Sequence, residues 1–418
     1  MKLMWFHLMP YTDLPEDFRE KNPSVWVDIH PELFDPEKAH TMYNDFMDEL
    51  EHAAEVGFDA ICVNEHHANG YGLMPSPNLI ASSLARRTLD TAICVMGNSL
   101  ALYNPPTRVA EEMAMIDCIS GGRLIAGFPV GTPMDTCFAY GRNPSQLRDR
   151  YYEAHDLVMQ AWQSDEVFAF NGRFNQLRYV NVWPRPVQKP TPPVWIPGGG
   201  SIETWQWCAA QDYVYAYLSY FGFQAGRQTM HGFWSEMDKL CKDKNPFRAG
   251  FLQFVGVADS YEEAYKLYKE PAEYFYGRCL HVDPRFAMPP GYTTEATIRA
   301  KVQSQVVQAA GGALQRVGPA TDFDEILERG YVIIGTPDQV AERLREVALD
   351  LNVGHLMLLL QFGNMGKDVV RHNTELFAKQ VKPQIEGLFE DEWEDRWWPQ
   401  PMARPQAPAQ VQPMAAAE

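Results

Sequence analysis

The order of apolar segments in this chain of 418 residues predicts a (β/α)8 barrel, an α/β fold in which eight parallel strands close into a cylinder surrounded by helices. Short apolar runs alternate with longer amphipathic runs, which is typical of parallel sheets with right-handed crossovers. About eight strand–helix units can be counted, and this number favours a closed barrel over an open doubly wound sheet. The runs at 60–63 and 356–360 are continuously apolar, as expected of strands that are buried on both faces.

The predicted elements follow one another in the order that such a barrel requires. The predicted strands are residues 2–8, 59–64, a stretch within 91–102, 124–130, 194–196, 213–218, 251–257 and 355–361. The predicted helices are residues 39–56, 78–87, 107–119, 148–163, 202–210, 223–241, 261–268, 337–349 and 373–388. Gly57 directly follows the first of these helices, and glycine at this position commonly ends a helix.

Two long segments interrupt the alternation, and a polar tail follows it. Residues 164–193 contain the sequence FNGRF at 170–174, which predicts a hairpin turn, and then a proline-rich return. Residues 271–332 are long and of mixed character, which is typical of a lid over a barrel mouth or of an oligomer contact. The end of the chain is rich in Pro, Gln and Ala, which predicts disorder. The sequence therefore predicts one barrel domain over residues 1–395 with two insertions, and a disordered tail over residues 396–418.

Composition excludes several classes of function. The formal charge is −18, from 36 basic and 54 acidic residues, which argues against binding to nucleic acids or anionic membranes. No apolar run approaches the roughly 18 residues that a membrane-spanning helix needs, and residues 1–10 lack the pattern of a secretory signal. The seven cysteines are an odd number without a C-x-x-C pair, which favours free thiols in a reducing compartment. We therefore expect a cytoplasmic protein.

Glu65, His66 and His67 stand where the second predicted strand ends, and this end of a barrel carries the active site. The group is compatible with a metal site, with acid–base chemistry, or with histidines that only bind backbone carbonyls. Adjacent histidines on an extended backbone point in different directions, so one metal rarely binds both, and His155 and His355 show no ligand spacing. Because imidazole changes its charge near neutral pH, we interpret one of the pair as a proton-handling or cofactor-facing residue and predict no metal.

A glycine-rich segment, PGGGS at 197–201, follows a predicted strand and opens a helix. Glycines let the backbone approach an anion, and the helix N-terminus offers free N–H groups, so the segment is typical of a phosphate site, although a capped turn has the same pattern. The sequence matches neither a P-loop nor a Rossmann fingerprint. A cationic partner must come from elsewhere, and Arg142, Arg148 and Arg150 are the candidates.

Four short segments follow one another in a characteristic order. They are EHH at 65–67, SGGRL at 120–124, YVNVWPRP at 179–186 and GTPD at 335–338. In these segments the chain resembles the bacterial luciferase-like family of flavin-dependent monooxygenases, over roughly residues 1–390. The segment after the fourth strand departs from the family in two places, at Pro129, where the luciferase has a reactive cysteine, and at Val130, where many members have an arginine.

The resemblance implies a luciferase-type (β/α)8 TIM barrel that uses reduced FMN supplied by a separate NAD(P)H:flavin reductase. Enzymes of this family combine reduced FMN with O2 to give a C4a-hydroperoxyflavin, which oxygenates a small, largely apolar organic substrate. A homodimer is common among such barrels, so the resemblance also implies one here. Two alternatives stay open, namely an F420-dependent oxidoreductase on the same barrel and a non-catalytic flavin-binding subunit.

The resemblance also implies roles for individual residues. His66 matches the catalytic histidine of the family, and Arg148 matches its phosphate-binding arginine. The other positions that match cofactor-binding residues are Gly97 and Asn98 beneath the isoalloxazine ring, Tyr151 on the phosphate side, and Gly199, Gly200, Ser201 and Thr204 around the phosphate.

Overall fold

Eight parallel strands close into a barrel in the computed structural model of the chain, which describes residues 1–299 and 320–403. The strands are β1 Lys2–Phe6, β2 Ala60–Val63, β3 Ala92–Val95, β4 Leu124–Gly127, β5 Phe168–Asn171, β6 Gln176–Val180, β7 Val194–Gly198, β8 Val214–Tyr217, β9 Ala249–Val257, β10 Val332–Gly335 and β11 His355–Leu359. The barrel consists of all of these except β5, β6 and β10. β11 pairs with β1 on one side and with β9 on the other, and β9 also pairs with β8, so the sheet closes on itself. The predicted fold class is confirmed.

Helices follow the barrel strands and cover them on the outside. They are α1 Phe18–Lys21, α2 Pro36–Glu55, α3 Pro77–Arg87, α4 Thr107–Ser120, α5 Leu147–Gln163, α6 Ile202–Gln211, α7 Gly222–Lys239, α8 Tyr261–Tyr274, α9 Pro284–Ala287, α10 Phe323–Glu328, α11 Pro337–Leu351, α12 Lys367–Leu376 and α13 Lys382–Ile385. Each predicted helix has a counterpart, although the last one begins six residues earlier than predicted and is divided by a wider turn at Phe377–Val381. None of the helices in the described part of the chain has both the length and the apolarity needed to cross a membrane.

The strand alternation shows which side chains face the barrel interior. On β1, the indole N–H of Trp5 donates to Thr374 on α12, and His7 contacts Glu49 on α2. Odd-numbered residues of this strand therefore face the surrounding helices, and even-numbered residues, continuing to Leu8, face the interior. Because side chains in register on neighbouring parallel strands point the same way, this assignment extends to β2 and β11.

The two insertions differ in how far they are described. Residues 164–193 contain the antiparallel hairpin of β5 and β6. The second insertion, 271–332, ends with α10 and β10, and β10 pairs with the carboxyl half of β9. The sequence analysis missed β10 because its apolar run lies inside a segment that lacks the strand–helix alternation. Residues 300–319 lie outside the described residues, so a lid or oligomer contact there stays a prediction.

The segment after α13 runs beneath the amino end of the barrel. Trp397 is 6% exposed and its indole N–H donates to the Asp212 carbonyl, while the guanidinium of Arg248 stacks on its ring. The Met402 N–H donates to the Gly121 carbonyl. Residues 396–403 therefore have defined contacts where the sequence predicted the start of a disordered tail, because aromatic anchors precede the Pro- and Ala-rich composition. The rest of the predicted tail, 404–418, lies outside the described residues.

His7 predicts a measurable pH dependence of stability. Its ring is fully buried, its Nδ1 accepts the Met9 N–H, and its Nε2–H donates to the Glu49 carboxyl. Burial lowers the pKa of His7 from 6.5 to about 3, so the unfolded chain binds a proton that the folded chain does not bind over this interval. The contribution of His7 to the stability of the fold is therefore complete above pH 6.5 and decreases as the pH falls toward 3. In this interval the folding equilibrium constant decreases about tenfold for each pH unit because of this group.

A His7→Gln variant should therefore lose less stability than the wild type between neutral pH and pH 5, because glutamine still donates to Glu49 but does not titrate. Urea unfolding at several pH values measures the difference. His30→Gln, which changes an exposed histidine, is the matched control and should follow the wild-type curve. Parallel pH profiles for wild type and His7→Gln would contradict the prediction.

Candidate active site

The loops after β2, β3, β4 and β7 carry the predicted site residues and meet at the carboxyl end of the barrel. His66 follows β2, Gly97 and Asn98 follow β3, and Ser201 follows β7. Two clusters form there. One is centred on His66 and the other on Arg148, which lies in the first turn of α5.

A carboxylate that the sequence analysis did not assign holds His66 in place. The Nδ1 of His66 lies 2.9 Å from Oδ2 of Asp135, in the loop after β4. The other oxygen of Asp135 accepts the backbone N–H of His67 at 2.8 Å, and Oδ2 also accepts the Thr132 hydroxyl at 2.8 Å. Asp135 is 3% exposed, so this ion pair is shielded from solvent. The only sequence signal for Asp135 is its position shortly after β4.

The surroundings of Asp135 keep it ionised. Burial by itself would raise the pKa of Asp135, but the charge and hydrogen bond of His66, the His67 N–H and the Thr132 hydroxyl together hold the pKa below its ordinary value. An ionised Asp135 fixes the proton of His66 on Nδ1. The Nε2 atom is then the ring nitrogen of His66 with no protein partner in the part of the chain that the structure describes. This nitrogen is available for proton transfer with a bound molecule.

His67 and Glu65 form a separate pair. The Nε2–H of His67 donates to Oε1 of Glu65 at 3.1 Å, and the Tyr103 hydroxyl donates to the same oxygen. The other oxygen of Glu65 accepts the Ser99 N–H at 2.6 Å. The two histidines therefore point to different carboxylates, as adjacent residues on an extended backbone should. Within residues 1–299 and 320–403, no cluster of three or more His, Cys, Asp or Glu side chains is placed to hold a metal ion.

Gly97 and Asn98 form a bend that packs directly against β2. A Cβ on Gly97 would lie 2.8 Å from both the Glu65 Cβ and the Pro77 Cγ, so only glycine fits there. Asn98 has a left-handed φ of 65°, and its side-chain amide exchanges two hydrogen bonds with Asn78, at 2.9 and 2.8 Å. The bend thus brings the loop after β3 next to Glu65.

Arg148 is the member of the arginine trio that reaches the glycine-rich loop. Its guanidinium donates to the Ser201 hydroxyl and to the Thr204 hydroxyl, both at 3.2 Å. The Arg142 guanidinium instead donates to the Leu102 carbonyl, and Arg150 stacks on an aromatic ring. We call the group of Arg148, Ser201 and Thr204 the anion cradle.

The geometry of the cradle fits a phosphate group. Gly200 has a φ of +97°, which favours glycine, and a Cβ on Gly199 would meet nothing within 4 Å, so the loop borders open space. Ser201 precedes the first turn of α6, where backbone N–H groups are unpaired. A guanidinium, the Thr204 hydroxyl and a helix N-terminus together form a donor set suited to an anion with several oxygens.

Three further side chains lie near the cradle. The Tyr151 hydroxyl is fully buried and donates to the Phe128 carbonyl at 2.6 Å, and it is the neighbouring Tyr152 whose hydroxyl contacts Arg148, at 3.3 Å. Glu203, which the sequence analysis did not single out as a site residue, accepts the Ser201 hydroxyl at 2.8 Å. Its position two residues after Ser201 was the available signal.

Glu203 also ties the second insertion to the cradle. The hydroxyls of Thr294 and Thr297 donate to its carboxylate, the latter at 2.9 Å. Burial raises the pKa of Glu203, but these donors and Ser201 outweigh it and hold the pKa below its ordinary value. Glu203 is therefore a carboxylate at neutral pH, with hydrogen bonds to both the cradle and the insertion.

Barrels with an anion cradle after a late strand are a class of enzymes that hold phosphorylated cofactors or substrates at the carboxyl end. Within this class the chain belongs to the luciferase-like monooxygenase family, whose family description matches residues 29–351. The family resemblance predicted from the sequence is thereby confirmed. Some relatives are flavin-dependent monooxygenases and others are F420-dependent enzymes.

Three individual proteins illustrate this range. The oxygenase component of the flavin-dependent trigonelline monooxygenase of Acinetobacter baylyi is 27% identical over 246 residues, which are 56% of this chain and 65% of the relative. The F420-dependent glucose-6-phosphate dehydrogenase of Amycolatopsis mediterranei is 25% identical over 350 residues, or 80% of this chain and 92% of the relative.

The third is a solved structure. It is the oxygenating constituent of 3,6-diketocamphane monooxygenase from Pseudomonas putida, a type II Baeyer–Villiger monooxygenase in complex with FMN. It superimposes with a TM-score of 0.66 at 18% identity and covers 92% of this chain and 98% of that chain. At this level of identity the likeness shows the fold alone.

Proposed function

We propose that this protein is the oxygenase component of a two-component monooxygenase, which uses reduced FMN and O2 to oxygenate a small, largely apolar organic substrate. The observation that carries the proposal is the pairing of an anion cradle with a carboxylate-held histidine at one barrel mouth. The relatives named as flavin-dependent monooxygenases support the choice of FMN. A separate reductase is part of the proposal because the Acinetobacter relative is named as an oxygenase component.

In this proposal the cradle binds the FMN phosphate. Arg148 supplies positive charge and two donor groups, and Ser201 and Thr204 hold its guanidinium in position. Gly199 borders open space, so its backbone amide, followed by that of Gly200, can approach the phosphate oxygens. Gly97 and Asn98 then support the ring system from the β3 side of the mouth.

Bound reduced FMN supplies two electrons to O2, so that one oxygen atom enters the substrate and the other leaves as water. The task of this chain is to hold the reactants and to manage one proton. His66 exchanges that proton through Nε2, while Asp135 keeps the ring oriented and stabilises its charged form. Trp26 and Tyr71 meet the His66 ring edge-on, at 5.5 and 4.7 Å between ring centroids, and exclude water from it.

Part of the second insertion closes the cradle side of the mouth. The Tyr292 hydroxyl donates to the Gly131 carbonyl in the loop after β4, and Thr297 donates to Glu203 after β7. Residues 292–297 thereby bridge two loops of the barrel rim. We propose that they act as a lid, which keeps water away from the reaction and opens to exchange flavin.

Binding of two reduced cofactors tests the proposal. The purified protein is titrated anaerobically with reduced FMN and with reduced F420, and then supplied with isotopically labelled O2, a flavin reductase and a panel of small cyclic ketones and terpenes. We expect tighter binding of reduced FMN and labelled oxygen in a product. Preferential binding of F420 with hydride transfer and no use of O2 would establish the F420 alternative. Tight FMN binding without any labelled product would favour a non-catalytic subunit.

Replacing Asp135 by asparagine should slow product formation about tenfold, because an amide no longer fixes the proton of His66 on Nδ1 or stabilises its charge. FMN affinity should stay within about twofold, since the cradle is untouched. The informative readout is the pH profile of product formation, which a purely structural change would leave in place. Thr132→Val, which removes one hydrogen bond to the same carboxylate, should have a smaller effect. An unchanged rate and pH profile in Asp135→Asn would contradict the role.

A further inference from the structure

Two amide side chains at the carboxyl end of the barrel are buried without their hydrogen-bonding partners. Asn64, directly after β2, is 2% exposed, and neither its Oδ1 nor its Nδ2 has a partner among the described residues. Gln361, after β11, is fully buried, its Oε1 has no partner within the same residues, and its Nε2 makes only a long contact of 3.4 Å to the Gly363 carbonyl. A buried amide that lacks partners costs stability, so these two groups are placed to bind something else.

The strand register brings both amides to one level of the barrel interior. Phe6 on β1 pairs with Cys62 on β2, and Met4 on β1 pairs with Met357 on β11. Continuing these registers along the chain sets Leu8 beside Asn64 on one side and beside Gln361 on the other. Leu8, Asn64 and Gln361 therefore continue the series of residues that face the barrel interior. With strands roughly 4.8 Å apart, the two amides lie about 10 Å apart at their Cα atoms, within reach of one small molecule.

We call Asn64 and Gln361 the floor, because both lie deeper in the barrel than His66. Asn64 and His66 are two residues apart in the segment directly after β2, so an extended backbone turns both toward the interior, with His66 about 7 Å nearer to the mouth. The wall beside them is aromatic, because Trp26 stacks on Tyr71 with 4.1 Å between ring centroids and Phe254 faces inward from β9. A ligand that bridges the floor and His66 therefore has a flat, apolar body with a polar end.

The polar end of this ligand is neutral. Amide side chains offer one acceptor and one donor group but no charge, so they suit a group that also combines C=O with N–H or O–H. Of the arginines predicted for the site, Arg148 points to the cradle and Arg142 to the Leu102 carbonyl. An anionic head group beside the two neutral amides would be buried without a charge partner from these arginines.

We propose that Asn64 and Gln361 bind the neutral polar end of the substrate, a carboxamide, lactam or similar group on a flat ring, and present the rest of the molecule to His66. This inference rests on the proposed function. The pyrimidine edge of a flavin has the same donor and acceptor chemistry, but the cradle follows β7, which lies directly across the closed barrel from β1. A flavin whose phosphate lay in the cradle would enter the barrel from the β7 side, and the positions after β1 and β11 are the part of the interior farthest from the cradle.

Three probes of one size test the floor in the wild-type protein without flavin. They are benzamide, its hydrocarbon counterpart isopropylbenzene, and its anionic counterpart benzoate, each measured by calorimetric titration. We expect benzamide to bind at least about tenfold more tightly than the other two, because only benzamide pairs with both amides at no cost in charge. Equal or tighter binding of isopropylbenzene or benzoate would overturn the proposal.

Two shape-conserving variants, Asn64→Leu and Gln361→Met, then assign the effect to the amides. Each variant should bind benzamide about tenfold more weakly than the wild type does, and its preference for benzamide over isopropylbenzene should decrease. Because each change removes an unpaired buried polar group, the melting temperature should not fall. The matched control is Gln253→Met. The Oε1 of Gln253 is also buried without a partner among the described residues, but its Nε2 donates to the Tyr331 carbonyl at 2.9 Å, so this variant should lose stability and keep its benzamide affinity.

FMN affinity separates this proposal from the alternatives. It should stay within about twofold in Asn64→Leu and Gln361→Met, because the cradle is unchanged. A large loss of FMN affinity in both variants would assign the floor to the flavin and overturn the substrate site. Failure of the wild-type protein to bind FMN would overturn the proposed function, whereas the benzamide measurements without flavin would still decide whether the floor binds a neutral polar group.

Discussion

Replacing His66 by alanine should slow substrate oxygenation by about a hundredfold to ten-thousandfold. The variant loses the ring nitrogen Nε2, to which we assign the proton transfer, and leaves Asp135 as a buried carboxylate without its main partner. FMN affinity should change by no more than about twofold, because the cradle makes no contact with His66. Product formation and fluorescence titration with FMN measure the two effects separately.

His67→Ala is the matched control for this result. His67 has the same chemistry and a similar burial, but its ring is paired with Glu65, and only its backbone N–H contacts Asp135. We expect the rate of His67→Ala to stay within about tenfold of the wild type. If His66→Ala forms product as fast as the wild type, or if His67→Ala is the slower variant, the proton-transfer role of His66 is wrong.

The barrel could be predicted from the sequence because its strands are mostly apolar runs, each followed by an amphipathic one. β2 and β3 even share the sequence AICV and lie in register. The parts that could not be predicted depend on contacts between distant segments. β10 is a strand only because it pairs with the free carboxyl half of β9. Trp397 is anchored only because Arg248 and Asp212 lie beneath the barrel.

In the candidate site, too, some residues could be predicted from the sequence and others could be found only in the folded structure. The glycine-rich loop, its hydroxyls and Arg148 could be proposed from the sequence because each stands at a strand end or in the first turn of a helix, and the structure brings them together. The partners of these residues could not be proposed, because neither the pairing of Asp135 with His66 nor that of Thr297 with Glu203 follows a fixed spacing along the chain. The sequence thus indicated which residues carry the chemistry, whereas the residues that orient them required the fold.

Replacing Arg148 by methionine should weaken FMN binding about a hundredfold, because it removes charge-assisted hydrogen bonds to the phosphate and the hydrogen bonds that Ser201 and Thr204 accept from the guanidinium. Riboflavin, which has the same ring system but no phosphate, should bind the variant and the wild type with equal affinity. The difference between the two ligands isolates the phosphate contribution from any general change in the barrel. Fluorescence titration of both ligands with both proteins gives the four dissociation constants.

Arg150→Met is the matched control, since Arg150 lies on the same helix but stacks on Phe174, with 4.4 Å between the guanidinium and the ring centroid, and has no contact with the cradle. Its FMN affinity should stay within about twofold of the wild type. Two outcomes would contradict the assignment of Arg148. If Arg148→Met loses as much affinity for riboflavin as for FMN, the arginine supports the fold of the barrel rim rather than the phosphate. If Arg150→Met loses as much FMN affinity as Arg148→Met, the phosphate responds only to the general positive charge of α5. A loss confined to FMN and to Arg148→Met would locate the phosphate between α5 and the loop after β7, and would thereby set the direction in which the flavin ring extends across the barrel toward His66.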